Sequence, residues 1–64
     1  MNSKNKFDWG QEVEVLPIAP AELNPKQRGS VCGVRQIESE NVYLVEFSDG
    51  VAVEIPEKFL KRID

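Results

Sequence analysis

Few side chains in this sequence could carry out chemistry. Cys32 is the one thiol and the chain contains no histidine, so no imidazole is present to activate a thiol or hydroxyl as a nucleophile. A lone cysteine without histidine also leaves no ligand set for zinc and no partner for an internal disulfide. We therefore expect Cys32 to be a small buried apolar residue of a protein in the reducing cytoplasm.

The acidic residues do not form a recognisable catalytic pair. Several of the eleven Asp and Glu residues alternate with apolar residues, which is typical of a solvated strand face. The Asp49-Gly50 step is typical of a hairpin turn, and the sequence has no glycine-rich phosphate loop. We predict that the protein is not an enzyme, that it has no catalytic or metal-binding residues and that it needs no cofactor.

The segment Tyr43–Ile55 carries the strongest structural signal. An Asp-Gly step between runs of β-branched and aromatic residues favours a β-hairpin, because glycine adopts positive φ without steric cost. On both sides of the turn, apolar residues recur at the period of two that defines one face of a strand. The residues predicted to face the core are Tyr43, Val45, Phe47, Val51, Val53 and Ile55. An isolated hairpin is marginal in water, so further strands must cover this face.

Three further strands and two helical turns complete the predicted elements. In chain order these are a strand at 12–16, a loop at 17–26 with a helical turn at 21–23, a strand at 29–37, a polar turn at 38–41, the hairpin, a helical turn at 56–60 and a strand at 61–64. Val13 and Val15 are predicted to face inward, and Gly33 to bend the second strand. The loop contains three prolines, which prevent regular pairing. It is either a functional surface or a simple crossing of the barrel mouth.

This order of elements predicts an all-β fold and resembles a five-stranded SH3-like barrel, with a long proline-containing loop after the first strand and a single helical turn before the last strand. A chain of 64 residues has room for one core. We expect residues 1–6 to form a flexible tail and residues 7–64 the barrel domain. Phe7 and Trp9 are predicted to fill one end of the barrel, in preference to forming a ligand platform.

A set of landmarks from Phe7 onward resembles one family of small barrels, the type II dihydrofolate reductases that confer trimethoprim resistance. The landmarks are Phe7-x-x-Gly10-x-x-Val13, Gly29-x-Val31-x-Gly33, Tyr43-x-Val45-Glu46, Pro56 and Leu60-x-Arg62-Ile63. The resemblance implies a tetramer whose central pore binds folate and NADPH. It also implies a bacterial mobile gene cassette as the source, and an accessory role for a relative without the activity.

The positions that carry the reductase activity in that family hold other residues here. The family builds its pore from a Val-Gln-Ile-Tyr run before the proline, where this chain has Ala52-Val53-Glu54-Ile55. The pore lysine of the family's first strand falls on Val15, and the tryptophan that helps to assemble the tetramer falls on Gln27. We therefore expect the fold of this family without its activity, and reductase chemistry is only a remote alternative.

Nucleic-acid binding is the alternative function. The predicted strand order also resembles KOW and Tudor-like barrels, and basic residues occur in two groups: Lys26, Arg28 and Arg35, then Lys58, Lys61 and Arg62. However, acidic residues lie among them, the net charge is −3, and most aromatic residues are predicted to be in the core, whereas single-strand binders interleave aromatic and basic side chains. We do not expect a nucleic-acid partner.

A protein-interaction or self-associating module is the predicted function. If the alternate residues of the 43–47 run form the core, their neighbours face outward unless the curvature of the barrel buries them. The predicted interaction surface is Leu16, Ile18, Leu23, Val42 and Leu44. Because so small a core gains from shared apolar surface, we predict a homo-oligomer, with a dimer as first choice, and allow an unidentified protein partner. No membrane span or signal peptide is expected, because no apolar run approaches the required length.

Overall fold

The protein is a five-stranded antiparallel sheet with almost no helix. The computed structural model describes residues 6–63. Its strands are β1 (Glu12–Val15), β2 (Arg28–Ile37), β3 (Glu40–Phe47), β4 (Ala52–Pro56) and β5 (Leu60–Arg62), and short 3₁₀ helices span Ala21–Leu23 and Glu57–Phe59. All strand pairs are antiparallel, in the order β4-β3-β2-β1-β5. This confirms the predicted all-β class with five strands. The predicted tail lies outside the described residues, apart from Lys6.

Two hairpins of different construction fix the register of β3. The loop to β4 has four residues, 48–51, with Gly50 at φ 84° and a bond from the Gly50 N–H to the Phe47 carbonyl of 2.9 Å. The loop from β2 has only two residues, Glu38 and Ser39, at φ 49° and 71°. Positive φ at both positions is the signature of a type I′ turn, whose twist matches that of the strands. The predicted turn at 38–41 was therefore too long, since its last two residues belong to β3.

The core lies on one face of the sheet. Ten buried side chains form it: Phe7, Val13, Val15, Ala19, Val31, Tyr43, Val45, Phe47, Ile55 and Leu60. The alternation of β1 and β3 predicted the inward residues of both strands correctly. Val53 is partly buried and packs against this cluster. Val51, also predicted to face the core, is 55% exposed, because it lies in the loop before β4 begins.

Phe7 and Trp9 have different environments, although both were predicted to fill one end of the fold. Phe7 is buried and its ring meets the Tyr43 ring edge to face, with centroids 5.2 Å apart. Trp9 is 73% exposed. It lies in a turn that is closed by a bond from the Gln11 N–H to the Asp8 carbonyl, and a turn residue directs its side chain away from the sheet. The prediction for Trp9 was wrong.

The second strand bends close to the predicted position. Its pairing with β3 shifts register between Val31 and Gly33, so that Cys32 is the extra residue of a bulge. Cys32 was expected to be buried, but it is only half-buried. Earlier in the strand, Gly29 lies so close to β3 that a Cβ atom would come within 2.6 Å of the Glu46 carbonyl oxygen. Only glycine fits at that contact.

Candidate functional site

Strand β3 is apolar on both faces. Tyr43, Val45 and Phe47 belong to the core cluster, whereas Val42 and Leu44 do not. Successive side chains of a strand point to opposite faces, so Val42 and Leu44 lie on the outer face of the sheet, as predicted. We call these two residues the outer strip. Apolar side chains in the middle of an outer sheet face need a cover, because exposing them to water costs free energy.

The register of the neighbouring strands places one basic and one acidic residue beside the outer strip. Val42 pairs with Arg35 of β2 and with Pro56 of β4, while Leu44 pairs with Gly33 and with Glu54. Arg35 and Glu54 therefore lie on opposite sides of β3 and one row apart, at the two ends of a diagonal that passes between Val42 and Leu44.

The two charged side chains meet across β3. The Arg35 Nε atom lies 2.8 Å from Glu54 Oε2, and Arg35 Nη2 donates a second bond of 2.8 Å to Glu54 Oε1. This two-point arrangement matches the fork of the guanidinium to the carboxylate. The side chains remain 62% and 45% exposed, so the pair adds about 1 kcal/mol or less to stability.

The ion pair spans the outer strip, because Arg35 and Glu54 lie at the ends of the diagonal between Val42 and Leu44. Val42 is only 8% exposed and Leu44 is half-buried, although no strand within residues 6–63 packs on this face of the sheet. Exposure and burial of Val42 were both left open by the sequence, and the structure shows an outward-facing residue that is buried. Its neighbours on this face are the half-buried Pro56 and the two exposed side chains of the ion pair, which form a weaker closure than a packed layer.

A shallow groove of about 220 Å³ opens beside the covered strip. It is lined by Gly33, Val34, Arg35, Val42, Leu44 and Glu54. Gly33 provides its floor, because a Cβ atom there would take up space 3.4 Å from the Leu44 Cβ. These lining residues include no hydroxyl, thiol or imidazole, so the groove suits an apolar contact flanked by charges and lacks a nucleophile.

The other half of the outer face has a different character. A concavity of about 350 Å³ there is lined mainly by polar residues: Glu12, Arg28, Gly29, Ser30, Glu46, Phe47 and Ser48. Glu12 and Glu46 lie on either side of Ser30 in one row of the sheet. Arg28 pairs with Glu14 on the adjacent strand at 3.6 Å, which is a looser contact than the Arg35–Glu54 pair.

The remaining predicted surface residues do not join the outer strip. Leu23 packs against the core cluster and so lies on the opposite side of the sheet. Leu16 is half-buried beside the second 3₁₀ helix, where its N–H donates to the Phe59 carbonyl at 2.8 Å. Ile18 is 75% exposed in the loop between β1 and β2. The structure therefore brings together Val42 and Leu44, and separates Leu23 from them.

A second polar network lies on the core side and anchors the start of the described chain. The buried Tyr43 hydroxyl donates to Glu57 Oε2 at 2.7 Å and accepts from the Lys6 N–H at 2.8 Å and the Phe7 N–H at 3.3 Å. Asn41 Nδ2 donates to the same Glu57 oxygen at 3.3 Å. This network links β3, the second 3₁₀ helix and the segment before β1.

The network shifts both of its titratable groups. Burial, followed by the hydrogen bond to Glu57, raises the pKa of Tyr43. For Glu57, burial alone would raise the pKa, but the hydrogen bonds from Tyr43, Asn41 and the Lys6 N–H together outweigh it, and the pKa lies below its ordinary value. Both shifts favour the same state, a neutral tyrosine that donates to an ionised carboxylate.

The roles of Arg35, Glu54 and Gly33 at the outer strip were not predicted from the sequence, because they depend on the register of three strands. A two-residue turn at 38–39 pairs residue 35 with 42, and the four-residue loop at 48–51 pairs 44 with 54. Counting outward from both turns would have placed the arginine and the glutamate on either side of β3. The turn at Glu38-Ser39 lacks the glycine or asparagine that marks such turns, which hid the register.

Across residues 6–63, no helix is long and apolar enough to cross a membrane, and no three His, Cys, Asp or Glu side chains lie close enough together to hold a metal ion. No family model matches this chain, and neither a curated protein nor a solved structure does so.

Proposed function

We propose that this protein is a non-catalytic SH3-like barrel of the cytoplasm that acts as a self-associating protein-interaction module. The observation that carries the proposal is the outer strip, where Val42 and Leu44 face away from the core under an exposed ion pair. An apolar strip of this kind becomes an exposed patch, and so a protein contact site, when the side chains of the ion pair move aside. By its resemblance to type II dihydrofolate reductases, the module would be an accessory protein of a bacterial mobile gene cassette.

The connection between the two edge strands supports the barrel. In the strand order β4 and β5 are the two edges of the sheet, and a flat sheet would hold them about 19 Å apart at 4.8 Å per strand. Only Glu57–Phe59 join Pro56 to Leu60, and four steps of a 3₁₀ helix rise about 8 Å. The sheet must therefore curl strongly to bring those strand ends together. The first 3₁₀ helix also approaches β4.

The charge distribution does not favour the nucleic-acid alternative. Arg28 contacts Glu14 on the adjacent strand, and Arg35 contacts Glu54 across β3. These contacts remove much of the attraction of both arginines for phosphate. Phe7, Tyr43 and Phe47 are buried in the core cluster, which leaves Trp9 as the most exposed aromatic residue among those described. A single exposed aromatic side chain does not make the alternating surface of single-strand binders.

The proposal is tested by measuring mass in solution. Sedimentation velocity of the wild-type protein from low to high micromolar concentration should show a mass that rises toward that of a dimer. Leu44→Lys introduces a charge into the outer strip and should keep the protein monomeric. Ser30→Lys is the matched control, because it adds the same charge to the outer face of β2, beside the polar concavity, and should not alter the mass. A wild-type monomer throughout the range would contradict the proposal.

A further inference from the structure

The charges beside the outer strip are arranged so that a second copy of the chain can satisfy both. Arg35 lies on one side of the strip and Glu54 on the other, at the ends of a diagonal centred between Val42 and Leu44. We infer that a second copy covers the outer strip about a two-fold axis, and that Arg35 and Glu54 exchange partners between the copies. This inference rests on the proposed self-association and identifies its surface.

The geometry of the register defines the axis. An axis that lies in the plane of contact, at right angles to the line from Arg35 to Glu54, passes between Val42 and Leu44. A half-turn about it sets the arginine of each copy over the glutamate of the other, and lays the two outer strips against each other. One surface patch then serves both partners, as in the isologous interfaces of two-fold dimers.

Charge complementarity selects a copy of the chain over other partners. An acidic partner would pair with Arg35 and leave Glu54 opposed by like charge, whereas a basic partner would do the reverse. A copy related by the two-fold axis pairs both charges at once. When the pairs exchange, the side chains that cover Val42 turn toward the other copy, and the apolar strip becomes available for contact.

The contact must be larger than two side chains on each copy. Stable dimers bury about 800 Å² per partner, so neighbouring residues of the same outer face have to contribute. Ile37 lies on this face of β2 and is 43% exposed, and Pro56 pairs with Val42 on the β4 side. An interface of this modest extent predicts a dimer in the micromolar range, which depends on protein concentration.

Two charge-inverting variants test the exchange. Arg35→Glu carries two acidic groups beside the strip and Glu54→Arg carries two basic groups, so each should repel its own copies and dimerise at least tenfold more weakly than the wild type. Mixed in equal amounts, the two variants present opposite charges at both ends of the diagonal. Native mass spectrometry and sedimentation should then show a mixed dimer with an affinity within about threefold of the wild type.

Mixing separates this inference from a purely structural role for the ion pair. Each variant lacks the internal Arg35–Glu54 pair, and mixing two chains cannot restore a pair within one chain. Arg28→Glu and Glu14→Arg are the matched controls, because they break the second cross-strand ion pair on the outer face. Each should dimerise with the same affinity as the wild type. Circular dichroism of each variant checks the fold. The double variant Arg35→Glu/Glu54→Arg restores the ion pair within one chain and also the opposite charges between two copies. It should therefore dimerise like the wild type.

The outcomes distinguish the two levels of the proposal. A monomeric wild type overturns both the proposed function and this inference. If the wild type is a dimer, three results overturn the inference alone: the two single variants still dimerise, they form no mixed dimer, or the double variant is monomeric. Self-association would then use another surface.

Discussion

The two faces of β3 are both apolar, but they are closed in different ways. Tyr43, Val45 and Phe47 pack with buried side chains of the four other strands and of the segments that flank β1, and Tyr43 is held by hydrogen bonds at its hydroxyl. Val42 and Leu44 are covered by one ion pair whose side chains are about half exposed. The comparison indicates that the inner face provides stability, whereas the outer face provides a contact surface that can open at little cost.

The largest expected effect comes from truncating matched apolar residues on the two faces. Ile55→Ala removes a fully buried core side chain and should cost about 2–5 kcal/mol. A domain of this size has about 3–10 kcal/mol in total, so much of the variant should be unfolded. Leu44→Ala on the outer face should cost about 1 kcal/mol or less, because less area is buried.

Urea unfolding at low protein concentration, followed by circular dichroism, measures both variants without a contribution from self-association. Equal losses at the two positions would contradict the distinction between the faces.

Removing the Tyr43 hydroxyl should have the next largest effect. Tyr43→Phe keeps the ring and its contact with Phe7, but it removes the acceptor of the Phe7 N–H and one of the hydrogen bonds to the Glu57 carboxylate. Loss of a buried hydrogen bond to a charged group costs about 1–3 kcal/mol. Thermal unfolding should show this loss, while dimerisation of the folded protein stays unchanged. A variant as stable as the wild type would show that the network is not anchoring the segment before β1.

Glu57 predicts a dependence of stability on pH. Its pKa is lower in the folded protein than its ordinary value, so the folded state favours the ionised form. The resulting stabilisation is present above the ordinary glutamate pKa of about 4.3 and is lost as the pH falls through the lower folded value. The pH dependence due to Tyr43 has the opposite sign. Because its pKa is raised in the folded protein, its contribution to stability declines as the pH rises above about 10.

Melting temperatures measured from pH 2 to pH 6 test the loss of stability that is expected when Glu57 becomes protonated. Glu57→Gln should lie below the wild type near pH 6, and the two curves should converge toward pH 2. Asp49→Asn serves as control, because Asp49 is an exposed acidic residue of the hairpin turn outside this network. Parallel curves for wild type and Glu57→Gln would contradict the assignment.

The smallest effect is a gain in stability at the turn between β2 and β3. Ser39 has φ 71°, where a residue with a side chain is strained by about 1–2 kcal/mol. Ser39→Gly should relieve the strain and, after the entropic cost of glycine, gain about 0.5–1 kcal/mol without changing dimerisation. Ser48→Gly is the matched control, since Ser48 has no positive φ and should lose stability. A loss of stability for Ser39→Gly as large as that for Ser48→Gly would show that the turn is unstrained.

The inner face could be predicted from the sequence to a much greater extent than the outer one. Alternation alone identified Tyr43, Val45 and Phe47, because a period of two directly reports the side of a strand. Val51 follows the same alternation but lies exposed in the loop before β4, and Trp9 is exposed in a turn. The hydrophobicity of a residue does not show whether other side chains of the fold extend far enough to bury it.

The outer face depends on register, which alternation does not give. That Val42 faces outward was predicted, but its cover was not. The contact between Arg35 and Glu54 joins residues that are 19 positions apart in the chain, and it requires both hairpin loops to have the right length. The strained turn at Glu38-Ser39 gives no sequence signal for its two-residue length. A contact set by two loops and three strands was therefore beyond a reading of local patterns.

The most direct test of a second copy on the outer strip is an isotope-filtered NMR experiment on a mixture of ¹³C-labelled and unlabelled protein. It detects only contacts between copies. We predict contacts from the methyl groups of Val42 and Leu44 to the same methyl groups of the other copy, and none from Val45 in the core. Contacts between copies that involve only Trp9 or Ile18, or no contacts at all in the high micromolar range, would contradict the account.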